Sequence, residues 1–505
     1  MVCSVQSGGV RGIESFPVCV ETDISNGMPC FDIVGYVGNE VKEAKDRVRT
    51  AMKNEGYSLP VARITVNLSP GDIKKSGTGF DLPVALSILA CMDVIPMESL
   101  NGLFVAGELS LSGQVSHTKG ILPMILAAKE RGIKKCMIPA GNSKEGAVVE
   151  GVDVYAMPTL SQAVAFLQGR TGMRPVENHL RSLLYKPGKY EYDFASVRGQ
   201  RLAKRGAEIA ASGLHNMIMT GPPGAGKSLI AKCIPSIMPP LSEDECLEVS
   251  AIYSVRGELG DGMPLVTKRP FVAAHSSSTD ISLVGGGPTP RPGAVSLAHK
   301  GVLFLDEIPE FSRKAIEALR QPLEDGRVHI TRNRDICTFP ADFMLVAAMN
   351  PCPCGYYPDM NRCTCDDAKR SRYMSRISGP FLDRMDICVV AERVSPFDML
   401  EKESGESSAD IRRRVIGAVK IQTERFRHLP LSFNSQMGND LIEKFCELGT
   451  NEKELMRKLA DRHQMSARTY YRVLRVARTI ADLSGQERLD EASLMEAVRF
   501  KVSFD

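Results

Sequence analysis

The segment Gly221-Pro222-Pro223-Gly224-Ala225-Gly226-Lys227-Ser228, running on into Leu229, has the residue types needed to hold a polyphosphate. Glycines let successive backbone N–H groups turn toward anionic oxygens, and a helix starting there adds its positive dipole end. Lys227 supplies a cation for the β- and γ-phosphates of ATP, and Ser228 a hydroxyl for Mg²⁺. Further on, Gly301-Val-Leu-Phe-Leu-Asp-Glu307 is an apolar run ending in two carboxylates. Asp306 can complete a Mg²⁺ shell through water, while Glu307 can orient and polarise an attacking water. A third apolar run, from Phe343, ends at Asn350, whose amide can help Glu307 place that water. The plain alternatives are a chance glycine loop and a solvated acidic turn. The occurrence of both motifs, in the expected order, favours hydrolysis.

Two arginines could complete such a site. Arg384, in Gly379-Pro-Phe-Leu-Asp-Arg-Met-Asp386, is a candidate arginine finger, a group that neutralises charge in the transition state. Arg468 opens a helical pattern over 467–483 and could reach a γ-phosphate from a lid. Either arginine taken alone reads equally well as a surface residue. A separate cluster, Cys352, Cys354, Cys363 and Cys365, has the spacing C-x-C-x8-C-x-C in a polar loop. Four thiolates could hold a structural Zn²⁺, although the spacing differs from the common C-x2-C pair. Incidental thiols or a reversible disulfide remain the alternatives.

These groups need elements that position them. His215–Thr220 reads as a short strand and Leu229–Ile234 as a helix, so the glycine loop lies between strand and helix. Ile64–Leu68 and Leu103–Ala106 read as buried strands, and Leu82–Ala90 and Leu122–Arg131 as helices. From Asp410 onward the apolar period is helical, with Ile411, Val415, Ala418, Gln422 and Phe426 on one face. The chain is therefore α/β, with boundaries expected at 1–168, 169–192 (a Gly-, Pro- and Arg-rich linker), 193–395 and 396–505.

A length of 505 residues implies about three domains. The net charge of +3 provides no global basic field for nucleic acid, so any DNA contact must be local. The 14 cysteines, mostly scattered singly in apolar surroundings, read as small hydrophobes of a reducing cytoplasm. No stretch has the apolar length of a membrane span, and the N-terminus lacks a signal-peptide layout.

The phrases HSSSTDISLVGGGPTPRPGAVSLAHKGVLFLDEIPEF, LRQPLEDGRVHITR and AAMNPCPCG, with SARTYYRVLRVARTIADL near the C-terminus, resemble the ComM/YifB family. This is a magnesium-chelatase-like branch of the AAA+ ATPases. The resemblance implies a P-loop core (193–395) with a helical lid (396–505), working as a hexameric ring. It makes Arg384 a finger acting on the neighbouring subunit and Arg468 the lid sensor. It also places a helix insertion at Ser276–Pro292 and the tip of a pore-facing β-hairpin at Asp325-Gly326-Arg327. Family members are similar to helicases that migrate branched DNA during natural transformation, so DNA, branched or single-stranded, is an implied partner. A chelatase-type ATPase remodelling a protein complex is the alternative.

Residues 1–168 resemble the Lon protease domain, most plainly in Lys75-Ser-Gly-Thr-Gly-Phe-Asp-Leu-Pro83 and Ile121–Pro139. By this resemblance the nucleophilic serine position falls on Gly79 and its lysine partner on Leu122. Neither side chain can do that chemistry, which implies a structural or DNA-guiding domain. For DNA contact, Asp410–His428 carries six Arg or Lys against two acids. Arg468, Arg472 and Arg475 share a helix face, with Tyr470 and Tyr471 interleaved. Ordinary solvated helices produce the same pattern, so the family resemblance carries the DNA expectation.

Overall fold

A computed structural model describes residues 2–184, 190–259, 263–287, 289–332, 335–393 and 405–501. The chain forms two compact units. The first contains Met1–Pro187 together with Glu243–Thr267 and Thr331–Thr338, and the second holds the remainder.

The first unit is built on a seven-stranded mixed sheet. Val2–Arg11 and Glu14–Ser25 pair antiparallel, and Glu14–Ser25 also pairs antiparallel with Arg63–Ser69. Beyond Val2–Arg11 the chain continues as parallel strands Leu103–Val105, Lys135–Pro139 and Asp153–Met157. Helix Asp81–Cys91 is apolar nearly all round and buried from Asp81 to Ala90, as a helix inside a core must be. Its one charge, Asp81, is fully buried and held by two bonds from Arg47, at 2.7 and 2.9 Å, and one from the Leu109 N–H. Replacing Arg47 with Met would leave that carboxylate buried and unpaired. We expect a stability loss of about 3–5 kcal/mol, read as an earlier unfolding midpoint in urea, with partial recovery when Asp81→Leu is added.

Gly79 and Leu122 lie in this unit. A Cβ at Gly79 would approach Thr118 Cγ2 at 3.1 Å, and the Leu122 side chain is fully buried. The Leu122 N–H reaches Glu145 Oε1 at 3.1 Å and Ser254 Oγ at 3.3 Å. Ser254 belongs to helix Glu243–Arg256, whose place in the first unit is not visible in any local pattern. Within the stretch read as a linker, the Val176 N–H bonds the Val154 carbonyl at 2.8 Å and Leu180–Leu184 is helical.

The second unit contains a five-stranded sheet, parallel throughout, in the order Phe271–Ala274, Val302–Leu305, Met344–Met349, Met217–Thr220, Ile387–Val390. The apolar runs seen in the sequence become buried strands, as expected where helices cover both faces. Helices Ser408–Arg425, Thr450–Arg462, Ala467–Leu483 and Glu491–Arg499 form the C-terminal part, and their apolar faces join the same core.

Two expectations are corrected. Asp325-Gly326-Arg327 is not a hairpin tip: Gly326 ends helix Arg320–Asp325 at φ 62° and its carbonyl bonds the Ala341 N–H at 2.8 Å. This puts the triplet at the base of the paired strands Arg327–Arg332 and Asp335–Pro340, with residues 333–334 outside the described residues. The arginine stripe on Ala467–Leu483 is not a free basic face either. Arg472 is 5% exposed and donates to the Asp383 carbonyl at 2.5 Å, while Arg475 donates to the Ser435 carbonyl at 2.8 Å. In and just after the stretch Ser276–Pro292, the short helices Asp280–Val284 and Ala294–Leu297 flank the paired Gly285–Gly286 and Arg291–Pro292.

Candidate nucleotide site

Parallel strands present their C-terminal ends along one edge of a sheet, which is where open α/β folds bind ligands. Here the edge brings together Thr220 with the glycine loop, Leu305 with Asp306, and Met349 with Asn350. The loop is closed by the Gly221 N–H bonding the Met349 carbonyl at 3.2 Å. Gly224 and Gly226 have φ of 79° and 80°, a region that costs side-chain-bearing residues and suits glycine. Gly226 is also the N-cap of helix Lys227–Ile237, so the dipole end faces the loop. Ala225 is buried, and Leu229 packs against the core as the helix begins.

Lys227 is 9% exposed, and its ammonium donates to the Gly221 carbonyl at 2.5 Å, the Pro222 carbonyl at 3.0 Å and Asn350 Oδ1 at 3.1 Å. Burial pulls this amine below the ordinary lysine range, and the charges of Asp306 and Glu307 act against that shift. Ser228 Oγ donates to Asp306 Oδ2 at 2.8 Å. Hydroxyl and carboxylate oxygens side by side are the donor set that suits Mg²⁺. Glu307 has φ 51°, an unusual conformation for a non-glycine residue, and its N–H donates to Asp306 Oδ1 at 3.0 Å. Strain of this kind costs about 1–3 kcal/mol and clusters at functional sites. It turns the chain sharply after Asp306 and leaves Glu307 exposed at the strand end.

Arg468 reaches Asp383, the residue that precedes Arg384 in the chain. Asp383 carboxylate oxygens lie 3.5 Å from Arg468 and 3.6 Å from Arg472. Arg384, only 11% exposed in its side chain, pairs with Glu324 and donates to the Pro380 carbonyl at 2.5 Å. Among the described residues, neither arginine has a hydrogen bond or ion pair with the glycine loop. A buried link connects the sheet to the C-terminal helices: His215 is bonded to Asp386 at 3.3 Å and to Thr479 at 2.8 Å.

Several contributors carry no sequence motif. Gln200, at φ 53°, donates to the Ala225 carbonyl of the loop at 3.0 Å. Tyr373 is buried with its phenol against the Asn350 backbone, and Glu324 pairs with Arg384. No one-residue pattern marks these positions, because each acts through a long-range contact.

The four cysteines converge. Their Sγ atoms all lie within 4.8 Å of one another, with separations of 3.3, 3.8 and 3.6 Å among Cys352, Cys354 and Cys363. A tetrahedral ion with metal–sulfur bonds of about 2.3 Å requires sulfur separations of roughly 3.8 Å. The cluster therefore fits Zn²⁺.

A parallel sheet whose strand ends carry a glycine loop, an Asp-Glu pair and a polar Asn defines an AAA+ ATPase of magnesium-chelatase type. Family models agree: residues 193–399 match "Magnesium chelatase, subunit ChlI", 20–142 match "Subunit ChlI of Mg-chelatase", and 405–501 match its C-terminal part. The chain belongs to this ChlI-like family, in the group that includes ComM and YifB. It is 39% identical to Competence protein ComM of Haemophilus influenzae, over 98% of this chain and 97% of that protein. It is 38% identical to the protein YifB of Escherichia coli, over 98% and 96%. A weaker likeness, 29% over 24% of this chain and 22% of the relative, is to Lon protease 2 of Bacillus subtilis. No helix among the described residues is long and apolar enough to cross a membrane.

Proposed function

We propose that this chain is one subunit of an ATP-driven hexameric ring that moves branched or single-stranded DNA in recombination or DNA uptake. The observation carrying the DNA step is the end-to-end correspondence with a protein named for competence, which is the uptake of DNA. In this reading Lys227 grips the β- and γ-phosphates while Ser228 and Asp306 hold Mg²⁺. The metal would neutralise charge building on the phosphate oxygens. Glu307 orients the attacking water, and Asn350, already bonded to Lys227, steadies it. Arg384 serves the neighbouring subunit's site, which requires its pair with Glu324 to open. Arg468 follows the γ-phosphate from the lid, leaving Asp383 as it does so. The four cysteines hold a structural Zn²⁺.

ATP hydrolysis measured without DNA and with single-stranded, duplex and four-way DNA tests the proposal. Stimulation by DNA, largest on the branched substrate, is the expected result. Rates flat across all DNAs, with stimulation by a protein partner instead, would transfer the assignment to a chelatase-type remodeller of protein complexes.

A further inference from the structure

Asn350 and Cys352 are separated by a single residue, Pro351. At one end of this span, Asn350 Oδ1 accepts from Lys227 Nζ at 3.1 Å. At the other, Cys352 is fully buried and its carbonyl accepts from the Gly355 N–H at 2.9 Å, closing a tight turn. That turn backs onto the phosphate loop. A Cβ at Gly355 would lie 2.7 Å from Pro223 Cδ and 3.3 Å from Pro223 Cγ, and Gly355 also has φ 83°. Beyond the last cysteine, helix Asp367–Met374 returns Tyr373 to the Asn350 backbone. The cysteine loop thus meets the nucleotide site at Asn350, at Pro223 and through Tyr373.

The loop has little packing of its own to hold these contacts. Residues 356–362 are exposed throughout, including Tyr356, Tyr357 and Met360. Free thiols bond one another only weakly, whereas four thiolates on one ion fix a loop firmly. We propose that Zn²⁺ on Cys352, Cys354, Cys363 and Cys365 is a control element of the ATP site, holding Asn350 and Pro223 at working distance from Lys227. Removing the metal slackens nucleotide binding and turnover while the ATPase core stays folded. This claim rests on reading the Lys227 site as the ATP site.

The test uses the full-length chain, with zinc measured by mass spectrometry, folding by circular dichroism and affinity with a fluorescent ATP analogue. Wild type should carry about one zinc per chain. Cys363→Ser should lose the metal, keep its helical signal, bind the analogue more weakly and hydrolyse ATP on the order of 10²-fold more slowly, as expected for a displaced catalytic group. Should that variant fail to fold, Gly355→Ala provides the second arm: it keeps all four thiols and the zinc, and its Cβ should push on Pro223 and weaken analogue binding. Metal-free wild type with four reactive thiols would overturn the metal site. A zinc-free Cys363→Ser protein, or a folded Gly355→Ala protein, with wild-type affinity and turnover would overturn the coupling. Wild type that binds zinc but no ATP analogue would instead refute the ATP-site reading.

Discussion

Glu307→Gln is expected to slow ATP hydrolysis by roughly 10²–10⁴-fold, the usual contribution of a positioned base, while ATP still binds. The substitution keeps the shape of the side chain and removes only its ability to take a proton. The contacts that hold the phosphate loop use other groups: Lys227 is fixed by Gly221, Pro222 and Asn350, and Ser228 by Asp306. The Glu307 backbone bond to Asp306 also survives, because it uses the N–H and not the carboxylate. Lys227→Ala should behave differently. It removes the ammonium that reaches the loop carbonyls and Asn350 together, so both binding and turnover should collapse while the helical signal persists. Equilibrium binding of a fluorescent ATP analogue beside phosphate release separates the two variants. A Glu307→Gln protein that turns over normally would remove Glu307 from the chemistry.

Arg384→Ala is expected to lower hydrolysis by about 10³-fold or more, with ATP binding retained, if the arginine acts as a finger. The same loss could follow from breaking its local contacts with Glu324 and Pro380. Mixing distinguishes the two causes. Combined with Glu307→Gln chains, Arg384→Ala chains should regain activity, because some sites then join an intact Glu307 to an intact Arg384 from next door. Random assembly of equal amounts in a ring gives about a quarter of sites in that arrangement. No recovery in the mixture would place Arg384 in service of its own subunit or of the fold alone.

What could be read from residues alone was whatever depends on neighbours in the chain. The strand–loop–helix around Gly226, the apolar run ending at Asp306, and the helix Ala467–Leu483 follow from local period and loop chemistry. Contacts made across the sequence were hidden. Helix Glu243–Arg256 lies between stretches of the ATPase unit in sequence, yet its Ser254 bonds Leu122 far upstream. Arg472 and Arg475 look like a basic face until the carbonyls of Asp383 and Ser435 claim them. Asp325-Gly326-Arg327 has the composition of a turn, and Gly326 does adopt a positive φ, but it ends a helix instead of tipping a hairpin. Composition identifies a left-handed residue without identifying which of several uses it serves. Convergence of the four cysteines was suggested by their spacing, while the contact of their loop with Pro223 was not.

The central claim is that ATP hydrolysis at Lys227 and Glu307 drives movement of DNA. Its most direct measurement is strand exchange on a synthetic four-way junction, followed by gel with purified chain, ATP and Mg²⁺. Wild type should convert the junction into duplex products in an ATP-dependent manner, and Glu307→Gln should convert none at equal DNA occupancy. A wild-type protein that hydrolyses ATP briskly, binds the junction and leaves its strands unmoved would contradict it.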